Sequence, residues 1–183
     1  TLLGSFAFDI TIDNLVISRY LGTVEVGRYT FAVFVASLAG YAFPMRALTP
    51  LMVNVAIRRV AAAETTHVLV GMFATITKLV CFGALPAIVG LALLSEEIVA
   101  FFLSPMYTGL DSVVLVVLAF SVFRYLNLAL QILIKPLEIL QVTFYTYALS
   151  VLNLVLDIVL VPRYGIVGAA WATGLTLCLN YLL

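Results

Sequence analysis

Four ionisable residues stand deep inside apolar runs, and their spacing suggests chemistry. Asp9 and Asp13 are one helical turn apart and share a face. Two carboxylates that close in a low dielectric resist ionising together, so the pair suits a site that takes up a proton or a cation. Lys78 and Arg124 are the opposite charges at comparable depth. Asn127 and Gln131 follow Arg124 at spacings of three and seven, placing a guanidinium and two amides on one stripe of a helix otherwise built of Val, Leu, Ala and Phe. Such a stripe suits the wall of a wet cavity and an anion that accepts several hydrogen bonds at once. The packing alternative is that Arg124 or Lys78 pairs with an aspartate and only fastens helices together.

The elements that must carry these residues follow from composition. Of 183 residues, 64% are hydrophobic and only 10% charged, and the mean hydropathy is +1.22. A soluble globule of this length needs a far more polar surface. The chain therefore reads as an integral membrane protein. Crossing a hydrocarbon layer of roughly 30 Å takes about 20 helical residues. Six apolar runs of that order are expected as helices, at about 2–21, 27–46, 68–94, 111–134, 138–161 and 165–183. They are apolar on every side, which disfavours the alternation of membrane strands. The predicted fold is all-α, one polytopic six-helix bundle.

The connectors are "LGTVEVGRY" at 21–29, the stretch 44–67, "SEEIVAFFLSPMYTGLD" at 95–111, "KPLE" at 135–138 and "PRYG" at 162–165. Alternation puts the second and fourth on one side with Arg46, Arg58, Arg59 and Lys135. The other side holds Arg28 and Arg163 among the acids Glu25, Glu96, Glu97 and Asp111. The basic side is expected in the cytoplasm, which starts the chain there. Part of 44–67 is expected to be an interfacial helix, since Leu51, Val55, Arg58 and Arg59 allow an apolar and a basic face. Arg19, Glu25, Arg28, Asp157 and Arg163 lie near helix ends, where snorkelling or contact with interfacial water accounts for them.

Composition also excludes. Nine basic and nine acidic residues cancel, and basic side chains never cluster beyond Arg58 and Arg59, so nucleic acid is not an expected partner. His67 stands alone, Cys81 and Cys178 lie in apolar runs, and no nucleophile, zinc or phosphate-loop motif occurs. No metal, cofactor or catalytic residue is expected, and the chain does not read as an enzyme. It opens on Thr1, stops inside an apolar run and has no signal peptide, so it reads as a fragment.

Three stretches carry a resemblance: "DNLVISRYLGTVEVGRYTFA" at 13–32, "LSEEIVAFFLSPMY" at 94–107 and, most specific, "LSVLNLVLDIVLVPRYGIVGAAWAT" at 149–173. Together they resemble the polysaccharide and lipid-linked oligosaccharide flippases of the multidrug/oligosaccharidyl-lipid/polysaccharide exporter superfamily. The resemblance implies twelve or fourteen helices in two pseudo-symmetric halves of a plasma-membrane protein, with this chain as the C-terminal half and an N-terminal half missing. It implies translocation of a polyprenyl-pyrophosphate-linked glycan, such as an O-antigen or exopolysaccharide unit, by alternating access. In that setting Arg124 and Lys78, with Asn127 and Gln131, would meet the pyrophosphate, and Asp9 and Asp13 would couple transport to an ion gradient. A multidrug extruder of the same superfamily, a membrane-embedded enzyme of glycan assembly and a non-transporting scaffold are the alternatives. An arginine flanked by amides suits an anionic cargo better than a cationic one, and the longest connector offers one His and no Asp for catalysis.

Overall fold

The structure, a computed structural model, describes residues 2–42, 45–62, 66–102, 109–137 and 140–182, with the side chains of 2–9, 42, 45–48, 66, 133, 135–137 and 140–143 left aside. The described elements are helical: α1 Leu2–Tyr20, α2 Thr23–Ala42, α3 Met45–Ala61, α4 Thr66–Leu93, α5 Ser95–Phe102, α6 Leu110–Leu137, α7 Leu140–Tyr164 and α8 Ile166–Leu182. Among the described residues, three stretches are long and apolar enough to cross a membrane: His67–Leu93, Leu110–Ile132 and Phe144–Tyr164. α8 is apolar but shorter, and α1 and α2 spend part of their length on charge.

Helix α6 is the hub, packing against α2, α3, α4, α5 and α8, while α1 closes the far side against α2, α7 and α8. Small residues allow these approaches. Ala32, Ala36 and Ala39 of α2 and Ala169 and Ala170 of α8 are buried in the main core with Val113, Val114, Val117 and Leu118 of α6. In a lipid solvent, close contact of this kind is what holds helices together. A second core at the other end joins Ile76 and Val80 of α4 to Ala129 and Ile132 of α6, with Met52 and Val53 of α3 packed on it.

Several element boundaries differ from the sequence expectation. The connector 21–29 shrinks to Leu21 and Gly22, because residues from Thr23 onward already form α2. Gly22 takes φ +93°, so the chain reverses in one left-handed step. Glu25 and Arg28 lie on the first turns of α2 and form an ion pair at 2.9 Å. The connector 95–111 contains α5, which opens at Ser95; the Ser95 hydroxyl donates back to the Ala92 carbonyl in the last turn of α4 at 2.9 Å. α7 runs through Pro162 to Tyr164 and ends at Gly165 alone, at φ +64°. The Gly165 N–H donates to the Val161 carbonyl at 2.9 Å, a left-handed helix cap that a glycine supplies cheaply. α3 is helical as expected, but Leu51, Val55 and Arg58 share one exposed side instead of dividing into two faces.

Candidate functional site

Among the described residues, a polar centre in the apolar bundle is built around Asp13. It sits on α1 between Ile12 and Asn14, only 1% exposed, with buried Val16 and Ile17 below it. Three helices reach its carboxylate. Tyr29 of α2 donates its hydroxyl to Oδ2 at 2.7 Å, Thr173 of α8 donates to Oδ2 at 2.8 Å, and Asn153 of α7 donates its amide to Oδ1 at 3.1 Å. The Asn153 carbonyl oxygen in turn accepts from Thr176 at 3.1 Å. Asp157, one turn beyond Asn153 on α7, is completely buried and acts electrostatically on Tyr29. The donors to Asp13 are therefore neutral side chains. Charge-assisted hydrogen bonds of this kind are the strong ones, and a buried carboxylate needs them.

This centre lies toward one end of the bundle. Asp13 is seven residues before the end of α1, Asp157 seven before the end of α7 and Thr173 seven after the start of α8. At 1.5 Å per residue, that is about 10 Å below the Gly22 and Gly165 turns. Asp157 was expected to reach interfacial water from its place near a helix end. It is instead turned inward, because α7 packs this face on α1 and α8.

Arg124 adjoins the centre. It lines a small cavity with Tyr29, Val33, Phe120, Thr173 and Gly174, among others, of about 10 Å³. That is room for about one water. Two of the three donors to Asp13, Tyr29 and Thr173, thus share the cavity lining with Arg124. The rest of the predicted stripe divides. Asn127 is buried and fastens α6 to α8, donating to the Leu177 carbonyl at 2.9 Å and accepting from Asn180 at 2.9 Å. Gln131 is half-buried further along α6. Lys78 is exposed on the side of α4 that faces away from buried Ile76 and Val80. Asp9 lies on α1, and its side chain is outside the described residues.

Tyr29, Asn153, Asp157 and Thr176 were not singled out from sequence as site residues. Their signal was present but slight: Asn153 and Asp157 are four apart, and Thr173 and Thr176 three apart, in helices that are otherwise apolar. Tyr29 was concealed by its placement in a connector.

An α1–α2 surface next to the centre is also polar. Thr11 and Ser18 of α1 and Thr23, Thr30 and Tyr41 of α2 are exposed, with half-buried Asn14 and Ser37 alongside. Thr30 approaches Asn14 at 3.5 Å. The exposed side of α7 offers Phe144, Val151, Val155, Ile158 and Val159 instead. The α1–α2 surface thus mixes these hydroxyls with exposed Leu15, Val24 and Phe34, and α7 also exposes Tyr145 and Tyr147.

Among the described residues, the chain is an all-helical bundle with three membrane-length helices and a buried polar centre. The chain is 29% identical over 104 residues to a protein of Haloferax volcanii described as "Probable flippase AglR". The matched region is 55% of this chain and 22% of that relative, so the chain corresponds to a minor part of the relative's length. No family profile matches the chain, and no solved structure does.

Proposed function

We propose that the chain is part of a flippase that moves a polyprenyl-pyrophosphate-linked glycan across the plasma membrane by alternating access. In this reading α1, α2 and α8 cross the bilayer with α4, α6 and α7, making a six-helix half of the transporter. The basic end carrying Arg58 and Arg59 faces the cytoplasm, as does the start of α1. The likeness to a protein described as a probable flippase supports a carrier in preference to an enzyme.

The observation that carries the reading is the cavity that Arg124 lines together with Tyr29 and Thr173, two of the donors to Asp13. A pyrophosphate passing a low-dielectric layer needs a cation in a wet site. Tyr29 and Thr173 line the same cavity as Arg124 while donating to the Asp13 carboxylate. Protonation or cation binding at Asp13, with Asp157 as the second buried acid and Asp9 one turn away, would change what Tyr29 and Thr173 donate to. Binding at Arg124 would feel that change directly. The exposed hydroxyls of Thr11, Ser18, Thr23 and Thr30 on α1 and α2 are neutral donors and acceptors for sugar hydroxyls.

The test is translocation by the full-length protein in vesicles, read as protection of the lipid-linked glycan from a membrane-impermeant glycosidase. Arg124→Ala should slow it at least about tenfold, the scale of one lost charge-assisted contact, at matched protein levels, and Arg124→Lys should restore part. Undiminished transport in Arg124→Ala would discard the anion-binding role. Asp13→Asn should abolish the response to an imposed ion gradient; an unchanged response removes the coupling role.

A further inference from the structure

Helix α5 takes no part in the proposed transport route. It is bonded directly onto the end of α4, the Ile98 N–H donating to the Leu94 carbonyl at 2.9 Å. Its charged and apolar residues are separated along its length. Glu96 and Glu97 occupy the first turn and are exposed, whereas no side chain from Ile98 to Phe102 is polar. Ile98 and Val99 pack on the main core. Phe101 and Phe102 are left 83% and 65% exposed at the far end, edge to face with ring centroids 5.0 Å apart.

A contact with α2 fixes how deep that end lies. α2 is 20 residues long, or about 30 Å, which is the thickness of the hydrocarbon layer. When α2 crosses the membrane, Thr23 stands at one boundary and Phe31 about 12 Å inside it. The Phe102 ring centroid is 6.3 Å from that of Phe31. Even with that whole separation pointing toward Thr23, Phe102 stays on the hydrocarbon side of the boundary.

At that depth an exposed carboxylate is costly and an exposed phenylalanine is not. The order of residues along α5 follows the same gradient, with the acids at the α4 end and the aromatics at the deep end. In water the same pair would be an uncovered apolar patch. We propose that α5 dips into one leaflet as a half-helix, with Glu96 and Glu97 toward the headgroups and the Phe101–Phe102 pair as a contact surface for lipid acyl chains. This rests on α2 crossing the bilayer in the reading above, and not on the identity of the cargo.

Spin labels at Glu97→Cys and Phe101→Cys of α5 and at Phe82→Cys of α4, in the otherwise cysteine-free full-length protein in vesicles, test the depth. Phe82, 80% exposed in the apolar stretch of α4, is the hydrocarbon reference. Collisions with oxygen should outweigh those with a water-soluble nickel chelate at 101 as at 82, and the balance should shift toward nickel at 97. Nickel-dominated collision at 101 alone would put the pair in water, and low rates for both reagents there would put it against protein; either overturns the proposal. Nickel-dominated collision at 82 as well would overturn the membrane-crossing reading on which the proposal rests. Thermal stability in the same vesicles is the second measurement. Phe101→Leu should keep the melting temperature and Phe101→Asp should lower it, whereas an Asp variant as stable as the native protein would show that residue 101 meets water.

Discussion

At the residue scale, Asp13 is held by a convergence that no pair of residues explains alone. Removing the Tyr29 hydroxyl deletes one hydrogen bond to a carboxylate, and Tyr29→Phe should lower the stability of the full-length protein in detergent by about 1.5–3 kcal/mol. Asn153→Ala should cost more, because it removes a donor to Asp13 and the acceptor of Thr176 together. Tyr29→Phe and Thr173→Val act on the same Asp13 oxygen, so their combined effect should depart from the sum of the single losses. Additivity in that cycle would show that the two hydroxyls bond the carboxylate independently.

At the element scale, the α7–α8 hairpin depends on two glycines for different reasons. Gly165→Ala puts a side chain on a left-handed backbone and should cost about 1–2 kcal/mol. At Gly168 an added Cβ would lie 2.5 Å from the Leu160 carbonyl oxygen, a backbone atom that cannot turn aside. Gly168→Val should therefore force the two helices apart, with a larger fall in melting temperature than Gly165→Ala; the reverse order would contradict the packing described. Elements of this kind were partly legible in the sequence. The long apolar runs located α1, α2, α4, α6, α7 and α8, because burial of a continuous helix leaves a continuous trace. α5 was missed because eight residues with two glutamates carry too little pattern, and the start of α2 was mistaken for a loop because Glu25, Gly27 and Arg28 are turn-like in composition. The centre was legible only at Asp13. Its donors lie 16, 140 and 160 residues away, and Tyr29, Asn153 and Thr173 look ordinary until the helices are assembled.

At the scale of the whole molecule, the two ends of the bundle differ in charge. Arg58 and Arg59 close α3 at one end, while Glu96, Glu97 and Asp111 open α5 and α6 at the other. If the basic end is cytoplasmic, Ala62→Cys should be protected from a membrane-impermeant maleimide in intact cells and Glu97→Cys should react; the opposite pattern would invert the orientation. The long separations within the Asp13 centre also bear on biosynthesis. At about 5–20 residues per second, Thr173 is synthesised roughly 8–30 s after Asp13. During that interval α1 and α2 exist as a hairpin whose carboxylate has Tyr29 but neither Asn153 nor Thr173. A nascent chain arrested before α7 would carry a half-satisfied acid inside an apolar hairpin, a mark by which membrane quality control could tell an unfinished chain from a finished one.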